Sequence, residues 1–137
     1  MERIMAVDYG EKRIGIALTD PLLTFAYPYK TIINDARTFT VINDIIREMG
    51  VTSLIIGLPL NADGSEKETT LRVRKFGENI EKLTGLKPGF YDERYSSSIA
   101  QERIISSVSK KSKRRDKGLV DMNAAAVILE DYLREIK

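Results

Sequence analysis

Cysteine, histidine and tryptophan are all absent from this chain. Without cysteine there is no disulfide, no thiol nucleophile and no thiolate ligand; without histidine there is no imidazole base and none of the usual zinc sets. Chemistry must therefore run on carboxylates, lysine, tyrosine, serine or metal-bound water. A site built only of oxygen donors selects hard cations, Mg²⁺ or Mn²⁺, over zinc or copper. No apolar run approaches the roughly 20 residues that span a bilayer. The first residues also lack the basic, apolar, small-residue order of a secretory signal. A cytoplasmic location without a membrane partner is expected.

What is present describes a folding chain. The hydrophobic share is 42% and the charged share 31%, far from the composition of disorder. At 137 residues the chain is long enough for one core and too short for two, so a single domain over 1–137 is expected. The net charge is only +2, yet Lys110-Lys111-Ser112-Lys113-Arg114-Arg115-Asp116-Lys117 carries +5 and leaves the remainder at −3. So concentrated a block reads as an anion-binding loop or as a solvated flexible one.

The order of elements is legible in the spacing. Ile4-Met5-Ala6-Val7-Asp8 is a buried strand ending in an acid, and Tyr9 to Lys12 is a tight turn into a second strand over Arg13 to Asp20. On that strand Ile14, Ile16 and Leu18 line one face, while Gly15 and Ala17 leave the other smooth enough for a helix to approach. Phe25 to Ile33 contains Pro28 and belongs at a sheet edge. Thr38 caps a helix through Val41, Ile42, Ile45, Ile46 and Met49, stopped by Gly50. Ser53 to Leu58 is a strand buried on both faces. Asn61 to Gly64 is a turn, and Ser65-Glu66-Lys67-Glu68 has the form of a capping box for a helix ending at Gly85. Gly89 to Tyr91 is a short strand, Ser96 to Ile105 a helix, and Ala124 to Ile136 a closing helix.

The order βββαβαβαα gives a five-stranded mixed sheet, three antiparallel strands then two parallel, with helices on both faces; this is the ribonuclease H-like order. The carboxyl ends of the parallel strands form its natural crevice. Asp8 and Glu93 stand at two such ends, and Asp121 at the start of the last helix. Asp8 shares its sheet face with Ile4 and Ala6, where a desolvated carboxylate needs hydrogen bonds or a cation. Three acids from separate elements suit a carboxylate-metal nuclease in which paired ions activate water and clamp the leaving oxygen. Asp8, Glu93 and Asp121 are thus the candidate catalytic residues and metal ligands, with Asp92 and Asp20 in reserve. Each also has a plainer reading: Asp8 bonded to its own turn, Glu93 paired with Arg94 or Arg13, Asp121 capping its helix.

Arg13, Asn61, Arg72, Arg74, Arg94 and the basic block Lys110, Lys111, Lys113, Arg114, Arg115 and Lys117 are candidate contacts to nucleic acid. For the arginines the alternative is a surface ion pair, and for Asn61 an Asx turn. Six Tyr, four Phe and no RNA-binding aromatic motif favour recognition of backbone and shape over base reading.

The chain resembles the YqgF/RuvX group of ribonuclease H-like proteins, known as Holliday junction resolvases and as nucleases that mature precursor 16S rRNA. The resemblance covers nearly the whole chain and rests on D-Y-G-E-K-R-I-G-I-A at 8 to 17, I-I-G-L-P-L-N-A-D-G-S-E at 55 to 66, R-V-R-K-F at 72 to 76, D-E-R-Y-S-S at 92 to 97 and V-D-M-N-A-A-A-V-I-L at 120 to 129. It implies the acids Asp8, Glu93 and Asp121, and a Mg²⁺- or Mn²⁺-dependent nuclease. Precursor rRNA is then placed ahead of branched DNA as substrate. A monomer or a homodimer fits equally. Two readings compete: an actin-like ATPase, which also opens on D-x-G but needs two such domains, and an inert nucleic-acid-binding module.

Overall fold

The computed structural model describes residues 2–92 and 117–136. Its strands are β1 (Ile4–Asp8), β2 (Arg13–Thr19), β3 (Ala26–Ile33), β4 (Ser53–Leu58) and β5 (Gly89–Asp92), and its helices α1 (Thr38–Met49), α2 (Glu68–Thr84) and α3 (Lys117–Ile136). The five strands form one sheet in the order β3-β2-β1-β4-β5. The β1–β2 and β2–β3 pairs are antiparallel, while β1–β4 and β4–β5 are parallel. The mixed sheet expected from the sequence is present, with Pro28 on its outer strand at a register shift opposite Ala17.

Alternation along the strands builds two cores. Met5 and Val7 of β1, Ile14, Ile16 and Leu18 of β2, and Leu54 and Ile56 of β4 pack on Ile42, Ile45 and Ile46 of α1 and Val73, Phe76 and Ile80 of α2. The other face carries Ile4, Ala6, Ala17, Ala26 and Ile55 under Ala125, Ala126, Ile128, Leu129 and Leu133 of α3. One face is branched and deep, the other small and shallow, so α3 lies close to the sheet. At Gly15 an added Cβ would stand 2.1 Å from the Asp121 carbonyl oxygen. The smooth face foreseen for β2 is therefore the seat of α3.

Helix stops match the sequence reading and helix starts do not. Gly50 and Gly85 close α1 and α2 in the left-handed conformation, at φ 66° and 80°, which glycine adopts without steric cost. Thr38 is the first residue of α1 and Arg37 its cap; the Thr38 hydroxyl instead accepts from the Asp35 N–H and donates to the Ile33 carbonyl. Ser65 does not cap α2, since its hydroxyl donates to Asp63 and accepts from Asn61. The helix begins at Glu68, with the Lys67 N–H donating to the Thr70 hydroxyl. α3 begins at Lys117, earlier than the alanine run suggests, so Asp121 lies inside the helix and is not its cap. The helix expected over 96–105 lies outside the described residues.

Candidate active site

Asp8 ends β1, the middle strand, and alternation puts it on the face where Ile4 and Ala6 pack under α3. Its cross-strand partner is Gly15. Because Gly15 has no side chain, the backbone of Asp121 and Met122 settles directly on it, which brings an acid 113 positions away in the sequence over the residue paired with Asp8. The Asp121 side chain accepts a hydrogen bond from Arg13 Nε at 2.9 Å, with both side chains partly accessible (24% for Asp121, 35% for Arg13).

The turn between β1 and β2 is held from two sides. Asn34 donates its amide to the Gly10 carbonyl and its backbone N–H to that of Lys12. Tyr9 packs on Phe76 of α2 with ring centroids 4.8 Å apart, and Phe76 stacks on Phe39 of α1 at 5.4 Å. Glu11 pairs with Arg72, which also bonds Glu68 one helical turn before it. The exit of Asp8 is thus anchored to both helices of the opposite face.

The remaining candidates divide by position. Parallel pairing brings the loop after β4 to the same sheet end as Asp8. There Asn61 accepts from Gly64 N–H, and bonds Ser65 through its backbone N–H and its amide. Arg74 pairs with Glu66 and lies over the Phe90 ring, 5.4 Å from its centroid. Asp92 ends β5 beside Leu58. Tyr91 belongs to the α3 face and Phe90 contacts Gly77 of α2, so by alternation Asp92 turns away from the Asp8 face.

Asp20 stands at the opposite end of the sheet, because β2 runs antiparallel to β1. It accepts from the N–H groups of Thr24 and Phe25 at 2.7 and 2.9 Å and from the Thr24 hydroxyl. It closes a loop and is not brought to the site. Glu93, Arg94, Lys110, Lys111, Lys113, Arg114 and Arg115 lie outside the described residues, and Lys117 is the first residue of α3. Among the described residues no three acids form a group able to hold a metal ion, and no helix is long and apolar enough to cross a membrane.

Sequence reasoning missed the Arg13–Asp121 bond, since a separation of 108 residues leaves no local trace. It also missed the Tyr91 hydroxyl on Glu135, 3.1 Å away. Desolvation and then that carboxylate push the Tyr91 phenol up to about 12.

Known proteins share this architecture. Residues 2–135 match the RuvX family, described as Holliday junction resolvase. A relative from a Sulfurihydrogenibium species is 36% identical over 135 residues, 97% of this chain and 90% of its own length. One from Maridesulfovibrio salexigens is 38% identical over 133 residues, 96% and 97% of the two chains. Both are provisionally named pre-16S rRNA nucleases. Thermus thermophilus RuvC in complex with a Holliday junction substrate superposes with a TM-score of 0.63 at 11% identity, covering 100% of this chain and 98% of that one. Fowlpox virus resolvase in complex with Holliday junction DNA gives 0.59 at 12%, covering 98% of each. Those two establish the ribonuclease H-like fold; with a sequence match from end to end, the chain belongs to the RuvX family of nucleases.

Proposed function

We propose that this protein is a Mg²⁺- or Mn²⁺-dependent endonuclease, one domain over 1–137, that hydrolyses phosphodiester bonds in structured nucleic acid in the cytoplasm. Precursor 16S rRNA is the preferred substrate, by analogy with the names its relatives carry. The observation that supports this best is that packing seats the main chain of Asp121 on Gly15, the cross-strand partner of Asp8 at the exit of the middle strand.

The donor chemistry fits a hard divalent ion, since both groups offer carboxylate oxygen and the chain has neither His nor Cys. Asp8, Asp121 and Glu93 would hold it. When bound, such ions activate water and neutralise the charge that builds on the transferring phosphate. The protein's own contribution is to fix the acids. Strand pairing and the turn contacts hold Asp8, while the helix packed on Gly15 holds the main chain of Asp121. Asn61, Arg72, Arg74, Arg94 and the basic block at 110–117 supply contacts to the phosphate backbone in this reading.

The test is side-by-side incubation of precursor 16S rRNA and a four-way DNA junction with Mg²⁺, Mn²⁺ or EDTA. Metal-dependent cleavage of the rRNA, lost in Asp8→Asn, is the expected result; binding without cleavage in every condition would leave an inert module. The junction-resolving alternative is favoured by the DNA-bound resolvases of the same fold. It demands paired cuts and so a two-fold dimer, which sedimentation of the protein with and without the junction would reveal.

A further inference from the structure

We propose that Arg13 is an exchangeable positioning residue. In the metal-free protein it holds Asp121, and when a divalent ion takes over that carboxylate its guanidinium is released to a phosphate of the nucleic acid. This rests on the nuclease reading above and adds to it a coupling between two ligands.

Two separate constraints act on Asp121. Its main chain is fixed by packing, because Gly15 lets the backbone of Asp121 and Met122 settle where a Cβ would stand. Its side chain is fixed by Arg13, the first residue of β2, five positions after Asp8. The bond uses one nitrogen and one oxygen, and both partners keep access to water. Water-accessible pairs of this kind are weak, because solvent screens the attraction and ordering two side chains opposes it. A divalent ion can therefore displace the guanidinium readily.

The freed group stays charged at every physiological pH and presents donors in the fork geometry that suits phosphate. Arg72 and Arg74 differ: their partners Glu11, Glu68 and Glu66 are surface acids with no place in the proposed metal set. Arg13 is held by an acid that belongs to it. A metal-free site therefore keeps Arg13 turned to the protein, and a loaded one turns it to the substrate.

The exchange can be tested without catalysis. Affinity for precursor 16S rRNA and for a four-way DNA junction is measured in EDTA for the full-length wild type, D121N, R13Q and D121N/R13Q, with thermal unfolding of each as a control. Removing the carboxylate charge in D121N weakens the hold on Arg13 and should tighten nucleic acid binding about fivefold and steepen the salt dependence by roughly one phosphate contact. The same change in the R13Q background should give no gain. On a nucleic acid analogue whose backbone cannot be cleaved, Mn²⁺ should likewise tighten binding by the wild type more than by R13Q. R13K keeps the charge, so D121N should gain in that background too, which covers the case of an unfolded R13Q. An equal gain from D121N in both the wild-type and R13Q backgrounds would overturn the exchange and leave only the removal of a negative charge. Failure of the wild type to bind either nucleic acid would sink the nuclease reading, and this proposal with it.

Discussion

Asp8 and Asp20 stand near the two ends of one hairpin. Asp20 feels desolvation that pushes its carboxyl up. The hydrogen bonds from the Thr24 side chain and from the Phe25 and Thr24 N–H groups together outweigh this and hold it at about 2. An unfolded aspartate titrates near 3.9, so the native value is depressed. The loop contribution is then complete above about pH 4 and is lost as pH falls through about 2. Asp20→Asn should lower the thermal midpoint at pH 6, and the gap from wild type should close between pH 4 and pH 2. Tyr91 runs the other way: a phenol held at about 12 against about 10 unfolded contributes below pH 10 and loses that contribution as pH rises toward 12. Tyr91→Phe should be separated from wild type at pH 8 and converge with it above pH 11 in the same assay. At this scale the sequence offered Asp8 as a candidate catalytic acid and Asp20 as a reserve ligand. The antiparallel strand directions place the two at opposite ends of the sheet and so set Asp20 apart from Asp8.

Elements carry the site through close approach. Gly15→Ala would drive a methyl group against the Asp121 carbonyl at 2.1 Å, and backbone cannot yield as a flexible side chain does. A destabilisation of about 1–3 kcal/mol is expected from overpacking, with cleavage reduced further than stability because α3 carries Asp121. Denaturant unfolding and cleavage rates on one preparation check both. Thr70 is fully buried, accepts from Lys67 N–H and donates to the Pro59 carbonyl. Thr70→Val should cost about 1–3 kcal/mol by stranding those groups, read from the shift in urea midpoint. Gly50 and Gly85 were visible in the sequence because a left-handed stop nearly requires glycine. The helix starts were not. Thr38 and Thr70 direct their hydroxyls to groups that folding brings near, the Ile33 and Pro59 carbonyls, so a good capping residue does not by itself mark a start.

For the molecule as a whole, charge is divided between a basic block at 110–117 and a remainder at −3. Replacing Lys110, Lys111, Lys113, Arg114, Arg115 and Lys117 with serine should weaken binding of rRNA and DNA alike. It should also flatten the dependence on salt by about 0.7–0.9 for every phosphate that is no longer neutralised; binding titrations across low to moderate salt measure this. The sequence by itself determined the mixed sheet, its two faces and the oxygen-only chemistry, because alternation, turn residues and the absence of His and Cys are local or compositional facts. It also singled out Asp8 as a candidate, since an acid at the end of an apolar strand needs a reason. Only the tertiary structure decided that Asp121 sits over Gly15 and binds Arg13, and that Asp20 and Asp92 turn elsewhere. Those outcomes depend on which strand end meets which helix, a meeting of residues more than a hundred positions apart, and packing of the whole sheet is what brings them together.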